Sequence, residues 1–243
     1  IGELVRQINE ERQGDSSSQA PRNRLVFHTD AVQAINYLEM NVQKLGVDLL
    51  SISGHKIYGP KGVGVLYVKQ GTQLNPTQFG GHHEQGFRPG TINTPLIVGL
   101  GKAIDLIKNR DNLTHSASSE PSEIKNLRDY CWQKIQQEIP NVKLNGDLEK
   151  RLPNNLNISF AGVEGEALLL DLDLNRIAVS TGSACSSGSL EPSHVLRAIG
   201  LSHEDSHGSL RISLGKNNTR KEIDIFIEKL KVAVEKYRKM APK

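Results

Sequence analysis

The sequence predicts an α/β fold in two parts, a mainly parallel sheet with helices followed by a small α+β domain. Three observations predict it. Short strand-like runs near 25–28, 48–52 and 63–68 alternate with connections. A polar stretch, 109–121, reads as a domain junction and places the two domains at 1–113 and 114–243. Beyond it, three helical and three strand patterns follow in mixed order, as an α+β unit would.

The elements are justified in order. Gly2 to Gln13 reads as a helix, with Leu4, Val5 and Ile8 on one face. Residues 15–21 are small and polar, the composition of a surface loop. Thr94 to Lys108 is apolar at helical spacing, with Pro95 at the helix start. The second part reads as helix 122–138, strand 155–160, helix 164–173, strands 176–180 and 209–214, and a final helix 219–238. Thr219 and Glu222 form a capping-box pattern at the start of that helix.

Composition bounds the function. The chain has 243 residues, 37% hydrophobic and 23% charged, enough for a sizeable core. No apolar run approaches the roughly 20 residues of a membrane span. The net charge of +3 is small and comes partly from Lys236, Arg238, Lys239 and Lys243, which suit the end of a helix. Nucleic acid is therefore not an expected partner. Two cysteines cannot make a four-ligand zinc pattern, His82-His83 lacks a partner cluster, and no metal is expected. Unpaired cysteines suit a reducing compartment, the cytoplasm first.

Four segments carry chemistry. Lys56, in Ser53-Gly54-His55-Lys56, follows one strand pattern and precedes a Gly- and Pro-rich loop. A lysine so placed is positioned to form an imine with an aldehyde, the way pyridoxal phosphate is held. The triplet is also compatible with a surface lysine in a β-hairpin. Asp30, in His28-Thr29-Asp30, sits just past a strand, where ligands collect in open α/β sheets. It would suit a pyridine nitrogen, or it caps a helix. Gln33, one turn on, would suit a phenolic oxygen. Cys185 lies among glycines and serines, the surroundings of an accessible, nucleophilic thiol in a mobile loop, or of an incidental one. Cys131 lies in a helical pattern and reads as packing. Arg211 interrupts a strand alternation, where it would take a substrate carboxylate or form an edge-strand salt bridge.

Taken together, Phe27 to Gln33, Ser51 to Gly62, Arg88-Pro89-Gly90-Thr91, Gly182 to Cys185 and Leu190 to Ala198 resemble the cysteine desulfurases. These are pyridoxal-phosphate enzymes that supply sulfur for iron–sulfur clusters and thio-modifications. The resemblance runs in order along nearly the whole chain. It implies a fold type I transferase, with the C-terminal portion of the large domain followed by the small one. It also implies roles. Lys56 would carry the cofactor and move protons, Asp30 hold its ring nitrogen and Gln33 its phenolic oxygen. Ser53 and His55 would hold its phosphate, and Thr91 that of a neighbouring subunit's cofactor, which makes a homodimer. Arg211 would bind the carboxylate of L-cysteine, and Cys185 would carry the persulfide to acceptor proteins such as an iron–sulfur scaffold. Thr29, Val32 and Pro89 depart from the usual family residues without removing a functional group. Family chains are longer and carry a front part with a phosphate-binding turn, a ring-stacking histidine and an asparagine. That part is expected on a longer chain or as a separate N-terminal fragment. Related readings are a selenocysteine lyase, a β-elimination lyase, or an inactive fragment that acts as a scaffold.

Overall fold

The computed structural model describes residues 1–14, 24–108, 120–182 and 192–240. The loop expected at 15–21, most of the expected junction and Cys185 lie outside the described residues. The chain divides into two compact units, Ile1–His115 and Ser116–Lys243.

In the first unit, helix α1 (Gly2–Gly14) leads to strand β1 (His28–Asp30), the short helix α2 (Val42–Leu45), strands β2 (Leu49–Ser53) and β3 (Gly64–Val68), and helix α3 (Thr94–Lys108). β1 runs parallel to β2, and β2 antiparallel to β3. Where a mainly parallel sheet is expected, these three strands are mixed. The β2–β3 connection is too short for the dozen or more residues of a parallel crossover. β1 starts later than its apolar run because side chains take up the preceding backbone. Asn9 Oδ1 accepts from Leu25 N–H (2.7 Å) and Asn9 Nδ2 donates to Leu25 O (3.0 Å). Phe27 N–H donates to the buried Asp48 carboxylate (3.0 Å), which also pairs with Arg24.

The β alternation sorts the two sheet faces. Leu50, with Ile52 and Tyr67, packs on Ala31, Val47, Phe27 and Met40. Burying a leucine such as Leu50 contributes roughly 1.5–3 kcal/mol. A second cluster joins Ile57 to Leu100 and Ala103 of α3. The opposite sheet face carries His28, Asp30, Ser51 and Ser53, in register across β1 and β2.

The second unit holds an antiparallel sheet in the order β4 (Val142–Leu144), β5 (Asn155–Phe160), β6 (Ser209–Ser213). Its described helices are α4 (Glu120–Glu138), α5 (Gly165–Leu174), α6 (His194–Ala198), α7 (His203–His207) and α8 (Arg220–Met240). Ile158, Leu168, Leu172, Leu210 and Leu230 are fully buried. The capping box forms: Thr219 N–H donates to Glu222 Oε2 (2.8 Å) and Glu222 N–H to Thr219 Oγ1 (3.3 Å). The strand expected at 176–180 shrinks to a single antiparallel bridge, Ser180 opposite Arg211. Arg176 turns left-handed (φ 61°) and Ile177 N–H bonds back to Leu172 O, so the chain is still leaving α5 there.

One buried cation belongs to this core. Arg128 is 1% exposed, and its Nε (2.8 Å) and Nη2 (2.6 Å) donate to Asp129 Oδ1. Burial pushes the Asp129 carboxyl up, but hydrogen bonds from Lys125 and Arg128 outweigh it and hold it below the ordinary value. Asp129→Asn is expected to destabilise the protein by about 2 kcal/mol. That is below the range for a fully buried pair, because Asp129 stays partly exposed. A urea midpoint unchanged from the parent would contradict this. The depressed value makes this stabilisation present above pH 3.8 and lost as pH falls further.

Candidate active site

The first unit brings four of the expected residues to one edge. Asp30 ends β1 and stands in register with Ser51 of the parallel β2. Two residues on, Ser53 ends β2, and a 3-10 turn, Gly54–Ile57, follows. In that turn Gly54 and Ile57 are buried while His55 and Lys56 are exposed. The burial pattern has physical causes. Ile57 packs on α3, Gly54 N–H donates to Val63 O (2.9 Å), and Gly59 N–H donates to Gly54 O (2.9 Å). A Cβ on Gly64 would sit 2.6 Å from Ile52 O, so only glycine lets β3 approach β2 there. Tyr58 adopts a left-handed backbone (φ 62°), the conformation that strained turns keep at functional sites.

The geometry leaves Lys56 Nζ without an ion pair or hydrogen bond among the described residues. One Asp30 oxygen accepts from Val32 N–H (3.0 Å) and caps the following turn. Capping and ligand binding are therefore compatible for this carboxylate, since no cation among the described residues pairs with it. The Ser53 hydroxyl and His55 Nδ1 lie 2.8 Å apart. Gln33 is exposed in the turn after Asp30, and Thr91 is exposed ahead of α3. Among the described residues, Thr91 makes no hydrogen bond to the others. Upstream of it, Glu84 (φ 48°), Gln85 (φ 57°) and Gly86 (φ 85°) are left-handed in succession, a strain the sequence did not announce.

An amine, a carboxylate and a hydroxyl–imidazole pair at one sheet edge fit pyridoxal phosphate. They would suit its aldehyde, its ring nitrogen and its phosphate respectively. Sequence reasoning missed His28 and Ser51 on the same face, where His28 Nε2 and Ser51 Oγ lie 2.8 Å apart. The signal was present: polar residues alternate at 28 and 30, and at 51 and 53.

In the second unit, Arg211 stands on β6, half-buried, opposite Asn157 of β5 and bridged to Ser180. Its guanidinium has no carboxylate partner among the described residues. Cys131 is fully buried, and burial pushes its thiol up to about 12. It is inert packing, as its helical pattern suggested.

Residues 15–226 match the family described as aminotransferase class-V. A cysteine desulfurase, IscS, from Clostridium botulinum is 52% identical over 220 residues, 90% of this chain and 54% of that protein. A cysteine desulfurase from Nostoc is 48% identical over 217 residues, 89% of this chain and 53% of that protein. The crystal structure of a NifS-like protein from Rickettsia africae matches with TM-score 0.77 at 30% identity, covering 96% of this chain and 57% of that one. The chain thus spans about half the length of the relatives it matches.

Proposed function

The chain belongs to the aminotransferase class-V family, and from that premise we propose that it carries the lysine, carboxylate-binding and sulfur-transfer residues of a pyridoxal-phosphate-dependent cysteine desulfurase. The observation that supports this most is Lys56, an exposed amine with no ion pair or hydrogen bond among the described residues, in a turn anchored by the buried Gly54 and Ile57 that follows the Ser53 end of β2. In this reading residues 1–113 are the C-terminal part of the cofactor domain, and 114–243 the small domain that bears the cysteine loop.

When bound, pyridoxal phosphate supplies an aldehyde that captures amines and a ring that withdraws electrons from the substrate's Cα. The residues do the rest. Lys56 would hold the cofactor through its amine and would take and return the Cα proton. Asp30 keeps the ring nitrogen protonated, and Gln33 donates to the phenolic oxygen. Ser53 and His55 donate to the phosphate, and Thr91 to the phosphate in a neighbouring subunit, which makes the working form a homodimer. Arg211 forks onto the carboxylate of L-cysteine. The Cys185 thiolate attacks the substrate sulfur, forming an S–S bond as the Cβ–S bond breaks; the bonding pair stays with the carbon skeleton, which takes a proton at Cβ and leaves as L-alanine. The outer sulfur then passes to an acceptor thiol, on an iron–sulfur scaffold or a thio-modification protein. A persulfide carrier needs a reducing compartment such as the cytoplasm.

The test is product analysis of the protein with pyridoxal phosphate, L-cysteine and a thiol reductant. Alanine and sulfide in equal amounts are expected. Pyruvate with ammonia would make the protein a β-elimination lyase, and turnover of selenocysteine alone a selenocysteine lyase. A protein that stays colourless and makes neither product would act only as a scaffold.

A further inference from the structure

Arg211 is bracketed across the sheet by two uncharged residues. Asn157 faces it in the β5–β6 register. On its other side Ser180 forms a closed antiparallel bridge: Arg211 N–H donates to Ser180 O (2.6 Å) and Ser180 N–H to Arg211 O (3.1 Å). Residues directly opposite in antiparallel strands put their side chains on the same face, within reach of one another. Asn157, Arg211 and Ser180 therefore form one cross-sheet row. Both neighbours are occupied elsewhere. Asn157 Oδ1 accepts from Asn145 Nδ2 (2.7 Å), and the Ser180 hydroxyl donates to Gly182 O (2.8 Å).

We propose that Ser180 is a positioning residue for substrate recognition: it holds the Arg211 backbone while presenting no charge, so the guanidinium stays free for the substrate's carboxylate. This rests on the proposed role of Arg211. A half-buried arginine ordinarily recruits an acid, and a flanking Asp or Glu would compete with the incoming carboxylate for the same fork. The neutral row removes that competitor.

The experiment compares Ser180→Asp with Ser180→Asn, a neutral side chain of nearly the same shape, both in the complete protein. Arg211 Nε–H resonances are followed by NMR during titration with L-alanine, and KM is measured for L-cysteine and for cysteamine, which lacks the carboxylate. Ser180→Asp is expected to weaken the L-alanine response and raise KM for L-cysteine about fivefold, the upper end of a cross-strand charge pair. Cysteamine turnover should not change, and Ser180→Asn should restore the response. Equal losses in the two variants, or a loss that extends to cysteamine, would overturn the proposal. If L-alanine shifts Arg211 in the parent and not in Ser180→Asp while no variant desulfurates cysteine, this inference stands and the proposed activity falls.

Discussion

Replacing Lys56 with alanine is expected to abolish borohydride-fixed attachment of pyridoxal phosphate and to lower cysteine desulfuration by about a thousandfold or more. The substitution removes one amine and little else. Lys56 is exposed and has no ion pair or hydrogen bond among the described residues. The turn is held by Ile57 on α3 and by the Gly54 and Gly59 backbone bonds. Stability should therefore stay within about 0.5 kcal/mol of the parent, as for surface positions generally. The activity loss combines removal of the covalent anchor with removal of the proton carrier, and the latter alone is worth about 10²–10⁴. Peptide mapping of the reduced parent should place the adduct on Lys56. Lys61, five residues on, is also exposed and is the natural rival. An adduct mapping to Lys61, or one that survives in Lys56→Ala at full stoichiometry, would refute the assignment.

Much of this site was legible because its residues are forced to break local rules. A lysine at the end of a strand among glycines is conspicuous, and so is an arginine inside a strand alternation. The helices with strong apolar periodicity were read well: Thr94–Lys108 matches its expected span, and β5 coincides with its pattern at Asn155–Phe160. Tertiary bonds defeated the reading elsewhere. The 176–180 pattern carries apolar Ile177, Ala178 and Val179, yet Ile177 N–H returns to Leu172 O at the end of α5. β1 was misplaced because Asn9, distant in sequence, competes for the Leu25 backbone. Short elements such as β4 and α7 carry too few residues for a period to show. The neutral row around Arg211 is invisible in sequence for a different reason. Asn157, Ser180 and Arg211 meet only once the strands pair.

Cys185→Ser is expected to end sulfur transfer, again by about a thousandfold or more, while leaving pyridoxal phosphate attached to Lys56. A hydroxyl does not ionise near neutral pH and forms no persulfide, so the acceptor of the S–S bond is lost outright. Rescue by the other thiol is excluded on physical grounds. Cys131 is fully buried in α4, and desolvation holds its thiol up at about 12. At pH 8 it stays neutral and out of reach, so one equivalent of iodoacetamide should label the parent, all of it on Cys185, and none should label the native Cys185→Ser protein. The same burial fixes the sign of an alkaline effect. Because the folded thiol keeps its proton to about pH 12 while the unfolded one releases it near pH 9, the Cys131 contribution to stability declines between those values. The serine variant should keep that decline, because Cys131 is untouched. The separation of functions is the decisive point. If Cys185→Ser still forms protein-bound persulfide from L-cysteine, the nucleophile lies elsewhere. If it loses the cofactor as well as sulfur transfer, the residue supports the fold and not the chemistry.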